Sequence, residues 1–103
     1  MKYVVMIYGA DAARRMPAVK ADLAATGELV SAEELVLPSE ARIVRIRDDE
    51  QTVTAGPFVP TDHQVSGIVL IDVVDDAHAE AVAARISAIV GDRVELRGTL
   101  ISA

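Results

Sequence analysis

Two apolar runs dominate the hydrophobic pattern of the chain. The first is YVVMIY at residues 3–8, and the second is GIVLIDVV at residues 67–74. Both runs are short and rich in β-branched residues, so each predicts a strand. A run with almost no alternating polar position is typical of a strand that is covered on both faces. We therefore expect two central strands with apolar neighbours on both sides of the sheet.

Two other segments have the pattern of helices. Residues 17–26 are rich in helix-forming residues, and Pro17 is tolerated at the first position of a helix. Residues 77–90 follow Asp75 and Asp76, either of which can cap a helix N-terminus. An apolar stripe runs along this second segment at Val82, Ile86, Ile89 and Val90. We expect one face of each helix to pack on the sheet.

The remaining segments predict shorter strands. Residues 28–37 are weakly strand-like, and residues 93–97 alternate between apolar and charged positions. Residues 41–47 also alternate, with Val44 and Ile46 opposite the arginines, and DDEQ then leads into a return strand at residues 52–54. This pair predicts a β-hairpin.

The order of these elements is that of a ferredoxin-like βαββαβ sandwich, a fold of the α+β class. The 103 residues contain no repeat, low-complexity tract or linker, so residues 1–103 are expected to form a single domain. Both helices would cover the same face of the sheet, yet the central strands are apolar on the other face as well. A second copy of the chain is the expected cover, which predicts a homodimer.

Composition narrows the class of partner. The formal net charge is −6, which disfavours nucleic acids and anionic membrane surfaces as partners. The chain has no cysteine, no histidine spacing typical of metal ligands and no glycine-rich phosphate loop, so neither a metal nor an organic cofactor is expected. No apolar stretch approaches the roughly 18 residues of a membrane span. A cytoplasmic location is therefore the default expectation.

One stretch carries a resemblance to a known family. AGPFVPTDHQVSGIVLIDVVDDAHAEA, residues 55–81, resembles the DGPF-type proteins of the YCII-related family. The similarity extends to MKYVVMIYG at the N-terminus and to TGELVSAEEL, so it covers essentially the whole chain. The matching motif positions are Gly56, Pro57, Phe58, Thr61, Gly67, Leu70 and Ile71. The resemblance implies a ferredoxin-like fold that pairs into a dimeric α/β barrel.

The resemblance implies no single reaction, although a few relatives handle small aromatic ring compounds. The chain also departs from the family pattern, because Ala55 replaces the motif aspartate and no histidine precedes His63. A histidine–aspartate pair of another family branch is therefore absent. The first hypothesis is a dimeric module that binds a small ligand or has a structural role. The alternative is a cofactor-independent lyase or isomerase that acts on a small cyclic or aromatic compound in the barrel cleft.

Two candidate catalytic residues are His63 and Glu33. An imidazole titrates near neutral pH and can act as a general acid or base. Asp62 is a candidate ligand-binding neighbour, but adjacent residues of an extended segment point in opposite directions, so it is poorly placed to orient His63. The resemblance selects Glu33 over Glu34 as the inward carboxylate. Solvated loop and strand-edge residues are the alternative interpretation of all three side chains.

Tyr8 and Phe58 are the candidate aromatic residues of a ligand site. Tyr8 ends the first central strand, where its phenol can either enter a pocket or cap the core with the hydroxyl in water. Phe58 follows Gly56-Pro57, and we expect it to enter the core as the anchor of the loop and the floor of a cleft. The resulting hypothesis is a small cleft that is lined by Tyr8, Glu33 and His63.

Overall fold

The computed structural model describes residues 1–102, which form an α+β fold with two antiparallel sheets. In chain order the elements are β1 (Lys2–Tyr8), α1 (Ala10–Ala13), α2 (Met16–Thr26), β2 (Leu29–Glu34), a 3-10 turn (Pro38–Glu40), β3 (Arg42–Arg47), β4 (Glu50–Ala55), β5 (Val65–Asp72), α3 (Asp76–Val90) and β6 (Val94–Gly98). The larger sheet has the strand order β2-β5-β1-β6, and β3 pairs with β4 alone. This arrangement confirms the α+β class and is compatible with a ferredoxin-like fold.

The helix boundaries follow local capping chemistry. Asp75 caps α3, because its Oδ1 accepts a hydrogen bond of 2.8 Å from the backbone N–H of His78. Gly91 then ends α3 at a φ of 78°, in the left-handed region that glycine adopts without steric cost. Helix α2 starts one residue earlier than predicted, so Pro17 is its second residue. The short helix α1 was not predicted from the sequence.

The core lies between the helices and one face of the larger sheet. Val5 of β1 pairs with Val69 of β5, and both side chains are fully buried. Leu23 of α2 and Ile86 of α3 are fully buried against the same face. Burial of one such side chain stabilises a fold by about 1.5–3 kcal/mol. At Gly67 of β5 the packing is so close that an added Cβ would stand 2.5 Å from Cε of Met16.

The opposite sheet face has a different environment. Its apolar centre consists of Val4 and Met6 of β1 with Ile68 and Leu70 of β5, all of which are half-buried. The helices pack only on the side chains that alternate with these. Within one chain the helices cover only one face of the central strands, and the predicted cover of the other face by a second copy stays a prediction. We call this surface the open sheet face.

The β3–β4 hairpin is a separate two-stranded sheet. The structure confirms the predicted pairing, but the turn is only Asp48-Asp49, at φ of 52° and 63°, and not the whole DDEQ segment. The radius of gyration is 15.4 Å, whereas a compact chain of this length has about 13 Å. Almost all residues of the hairpin are exposed.

A polar cluster connects the two longer helices with the start of β2. Glu28 accepts hydrogen bonds from Thr26 and Arg85, and its Oε2 lies 2.6 Å from Nε2 of His78. Arg85 also donates to Asp22 at 2.7 Å. The hydrogen bond from Thr26, together with those to His78 and Arg85, lowers the pKa of Glu28 to about 2. Within residues 1–102, no helix has both the length and the apolar character needed to cross a membrane.

Candidate functional site

A cleft of about 390 Å³ opens at one end of the larger sheet, where β1 ends and β6 begins. Antiparallel pairing explains this location, because Ile7 lies opposite Val94 and Tyr8 lies opposite Val65. The loop before β5 therefore ends beside the same corner of the sheet. The lining residues are Tyr8, Gly9, Asp62, His63, Asp92, Arg93, Val94 and Glu95.

Tyr8 forms the centre of a short chain of polar contacts in this cleft. Its hydroxyl donates a hydrogen bond of 2.5 Å to Oε1 of Glu95, and Nε of Arg97 donates to Oε2 of the same carboxylate at 3.1 Å. The hydrogen bond to Glu95 raises the pKa of the Tyr8 phenol, and the same bond lowers the pKa of Glu95. Near neutral pH the phenol therefore keeps its proton and the carboxylate is charged.

This contact determines what Tyr8 can offer to a ligand. A phenol has one O–H donor and also accepts hydrogen bonds through its oxygen. Because the Tyr8 proton is directed to Glu95, the lone pairs of the oxygen are the part that remains for a ligand. The cleft is thus suited to a group that donates a hydrogen bond, such as a hydroxyl or an N–H.

His63 and Asp62 reach the cleft from the loop before β5. Both side chains are exposed, and no other side chain of residues 1–102 hydrogen-bonds the imidazole of His63. The backbone N–H of His63 donates to Oγ1 of Thr61 at 3.2 Å, which fixes the main chain but not the ring. The imidazole is therefore free to meet a ligand.

Gln64, rather than Phe58, holds this loop. The Gln64 side-chain amide donates to the carbonyls of Val59 at 2.5 Å and Thr61 at 2.8 Å. The main-chain carbonyl of Gln64 accepts from the N–H of Gly9 at 3.1 Å. Phe58 is 86% exposed, so the prediction that it anchors the loop in the core is wrong. The loop is held by polar contacts to its own backbone, and these leave the ring in solvent.

Glu33 lies elsewhere on the larger sheet. It is exposed on β2 opposite Ile68, on the open sheet face, and it does not line the Tyr8 cleft. The structure thus brings together Tyr8, Asp62 and His63 of the predicted site residues. It places Glu33 and Phe58 apart from them.

Sequence reasoning missed Glu95, Arg97 and Arg93. A signal was present, because alternation along residues 93–97 puts all three on one face. In the ferredoxin-like order the first strand neighbours the last, and the observed register pairs Met6 with Glu95. The register itself could not be derived from one sequence, since nothing in the two strands fixes their relative position.

A second cleft of about 460 Å³ lies on the other side of Gly9 and Asp62. Its walls are the start of α1, the segment after β2 and the loop before β5. The exposed apolar part of its lining is Leu35, Val36 and Leu37. Pro57 and Pro60 contribute the opposite wall. The Gly-Pro-Phe stretch therefore borders this second cleft, whereas its continuation at residues 62–63 lines the first.

Comparison with protein-family models gives no match, and comparison with curated proteins gives none either. Among residues 1–102, no three histidine, aspartate or glutamate side chains are grouped as metal ligands would be. The chemistry of the site therefore has to be argued from its own geometry.

Proposed function

We propose that this chain is a YCII-related, homodimeric module that binds a small organic ligand in the Tyr8 cleft. The observation that carries the proposal is the hydroxyl of Tyr8, which Glu95 holds with its oxygen lone pairs available at the wall of a 390 Å³ cleft. The exposed imidazole of His63 lines the same cleft. A ring of moderate size with a hydroxyl donor fits this combination of volume and polarity.

Within one chain the site is open, and this openness favours binding over catalysis. Asp62, His63, Asp92 and Arg93 are all exposed, so water has access to any bound molecule. Enzymes that transfer protons usually exclude water and tune the pKa of the acting group through its neighbours. No side chain of residues 1–102 hydrogen-bonds the His63 imidazole to orient it, and Glu33 is outside the cleft.

A cofactor-independent lyase or isomerase is the second candidate. It is supported by one observation, the presence of a phenol and an imidazole in the same cleft. The imidazole is able to exchange a proton with a small cyclic substrate, and the Tyr8 oxygen is able to accept a hydrogen bond from it. Closure of the cleft by a second chain would be required for efficient transfer.

The homodimer belongs to the same proposal. Val4, Met6, Ile68 and Leu70 form a continuous apolar centre on the open sheet face, and the helices leave it uncovered. A second copy that presents the same face would bury both surfaces and form a dimeric α/β barrel. Light scattering is then expected to give twice the chain mass of 10.9 kDa at micromolar concentration. A monomer under these conditions would contradict this part of the proposal.

Ligand binding is tested by NMR with catechol as the probe. We expect catechol to shift the amide signals of Tyr8, His63 and Glu95, whereas 1,2-dimethoxybenzene, which lacks the donors, has little effect. The variant Tyr8→Phe should weaken catechol binding at least fivefold. Tyr3→Phe is the matched control, because the Tyr3 hydroxyl also donates to a carboxylate, that of Asp76, but outside the cleft.

Two results would overturn the binding proposal. The first is the absence of catechol-induced shifts around the cleft at millimolar concentration. The second is an equal loss of affinity in Tyr8→Phe and Tyr3→Phe, since that would indicate a general effect on the fold. Turnover of a cyclic probe that depends on His63 would instead favour the lyase or isomerase.

A further inference from the structure

The two faces of the β3–β4 hairpin differ in how many large apolar side chains they expose. The register pairs Val44 with Val53 and Ile46 with Gln51, so these side chains share one face. Val44, Ile46 and Val53 are 62%, 72% and 53% exposed. Arg45 lies on the other face. That face also carries Arg47, Glu50, Thr52, Thr54 and the half-buried Ile43. We call the first of these surfaces the apolar hairpin face.

An exposed apolar face is unusual for a hairpin that stands alone. Two-stranded hairpins are marginally stable in water unless they pack against another element. The β3–β4 pair has no hydrogen-bonded neighbour strand, and the core cluster contains none of its residues. Three β-branched residues on one solvent-facing side are typical of a surface that is covered by a partner.

Charge indicates the kind of partner. β3 carries three of the ten basic side chains of the chain, namely Arg42, Arg45 and Arg47. None of the three forms an ion pair within residues 1–102. The chain as a whole carries a net charge of −6. Of the three arginines only Arg42 lies on the apolar hairpin face, so the matching surface of a second copy needs an acidic side chain.

One acidic position lies where such a contact is needed. Glu33 of β2 lies beside Ile68 on the open sheet face, and it also has no ion pair within the described chain. Arg42 shares the apolar hairpin face with Val44. The apolar hairpin face and the β2–β5 half of the open sheet face thus each have an apolar patch and one charged side chain, and the two charges are opposite in sign.

We propose that the β3–β4 hairpin is a dimerisation arm, whose apolar face packs on the β2–β5 half of the open sheet face of a second copy. Arg42 of each arm pairs with Glu33 of the other copy. A two-fold axis makes this contact twice, because each chain supplies both an arm and a sheet. The inference rests on the proposed homodimer but not on ligand binding in the Tyr8 cleft.

The first experiment compares two neighbouring positions on β4. Val53→Lys changes the apolar hairpin face, and Thr52→Lys introduces the same charge on the opposite face. Sedimentation equilibrium is expected to give a dimer dissociation constant at least tenfold higher for Val53→Lys and within twofold of the unmodified protein for Thr52→Lys. Cross-strand NMR contacts between Arg45 and Thr52, or the lysine at that position, verify that the hairpin itself is folded.

The second experiment exchanges the charges. Arg42→Glu should weaken the dimer, Glu33→Arg should do the same, and the double variant should recover most of the affinity. Equal dimer affinity in Val53→Lys and Thr52→Lys, or no recovery in the double variant, would overturn the arm. If Val4→Lys on β1 breaks the dimer and Val53→Lys does not, the arm fails while the proposed sheet-to-sheet dimer stands. Monomeric unmodified protein would reject both, and the catechol titration would still decide ligand binding.

Discussion

β5 and the β3–β4 hairpin are built from similar residues and have opposite environments. Val69 and Ile71 of β5 are fully buried, whereas Val44 and Ile46 of β3 are 62% and 72% exposed. β5 lies between two strands and beneath the helices, but β3 has one partner strand and no helix over it. β-branched residues thus favour the strand conformation in both regions. Whether a strand is buried depends instead on whether other elements of the chain pack on it.

The two regions also differ in how they use arginine. Arg85 on α3 donates to both Asp22 and Glu28, and these bonds connect α3 to α2 and to the start of β2. Arg45 and Arg47 of the hairpin have no ion pair within residues 1–102. The body of the molecule, by which we mean the larger sheet and the helices, is thus held together by apolar and polar contacts. The hairpin is held by its backbone pairing and cross-strand contacts.

The largest expected effect comes from truncating matching isoleucines in the two regions. Ile86→Ala removes a fully buried side chain and should lower the free energy of unfolding by about 3–4 kcal/mol, because it loses apolar burial and leaves a cavity. Ile46→Ala should cost less than about 0.5 kcal/mol in dilute, monomeric protein, since an exposed side chain loses little on truncation. Urea unfolding at low protein concentration measures both. A similar cost at the two positions would contradict the exposed position of the hairpin.

A smaller effect is expected from the polar cluster at Glu28. Its side chain is 11% exposed, and Glu28→Gln at pH 7 should destabilise the fold by about 1–2 kcal/mol through weaker charge-assisted hydrogen bonds. The folded pKa is lowered to about 2 from 4.5, so this contribution is complete above pH 4.5 and is lost as the pH falls towards 2. The variant should therefore lose less stability than the unmodified protein across that interval.

Glu50→Gln is the control for this prediction. Glu50 begins β4 of the hairpin, is exposed and forms no ion pair within residues 1–102. Its substitution should leave the free energy of unfolding at pH 7 within about 0.5 kcal/mol. Equal pH profiles for Glu28→Gln and the unmodified protein between pH 4.5 and 2 would show that the cluster does not stabilise the fold in the way described.

Much of the architecture was predictable because local signals agreed with the global fold. The apolar runs located β1 and β5, Asp75 marked the start of α3, and alternation at residues 41–47 identified the hairpin. Phe58 was misplaced because a lone aromatic residue suggests a core position, yet the polar contacts of Gln64 hold the loop without it. In a loop, an apolar residue is a weaker indication of burial, because no repeating pattern of apolar and polar positions shows which way its side chain points.

The candidate site was only partly predictable. Tyr8 and His63 share the cleft because β1 and β5 are antiparallel neighbours, which the ferredoxin-like order implies. Glu33 was selected through the family resemblance, but it lies on β2, which β5 separates from β1, and it does not line the cleft. The partner of Tyr8, Glu95, depends on the register between β1 and β6, and a single sequence does not specify that register.

The smallest expected effect concerns the turn of the hairpin. Asp48 and Asp49 both have positive φ, which a two-residue turn of type I′ requires and which glycine adopts more readily than aspartate. Asp49→Gly should therefore stabilise the hairpin by about 0.5 kcal/mol, after the greater entropy loss of glycine on ordering is included.

Amide hydrogen exchange should slow across β3 and β4 by about twofold and stay unchanged in β5, because the hairpin opens independently of the body. Glu50→Gly, one residue later in the strand, should have the opposite effect. If Asp49→Gly slowed exchange in β5 as much as in β3, the two regions would unfold together, and the contrast between a closed body and an independent hairpin would be wrong.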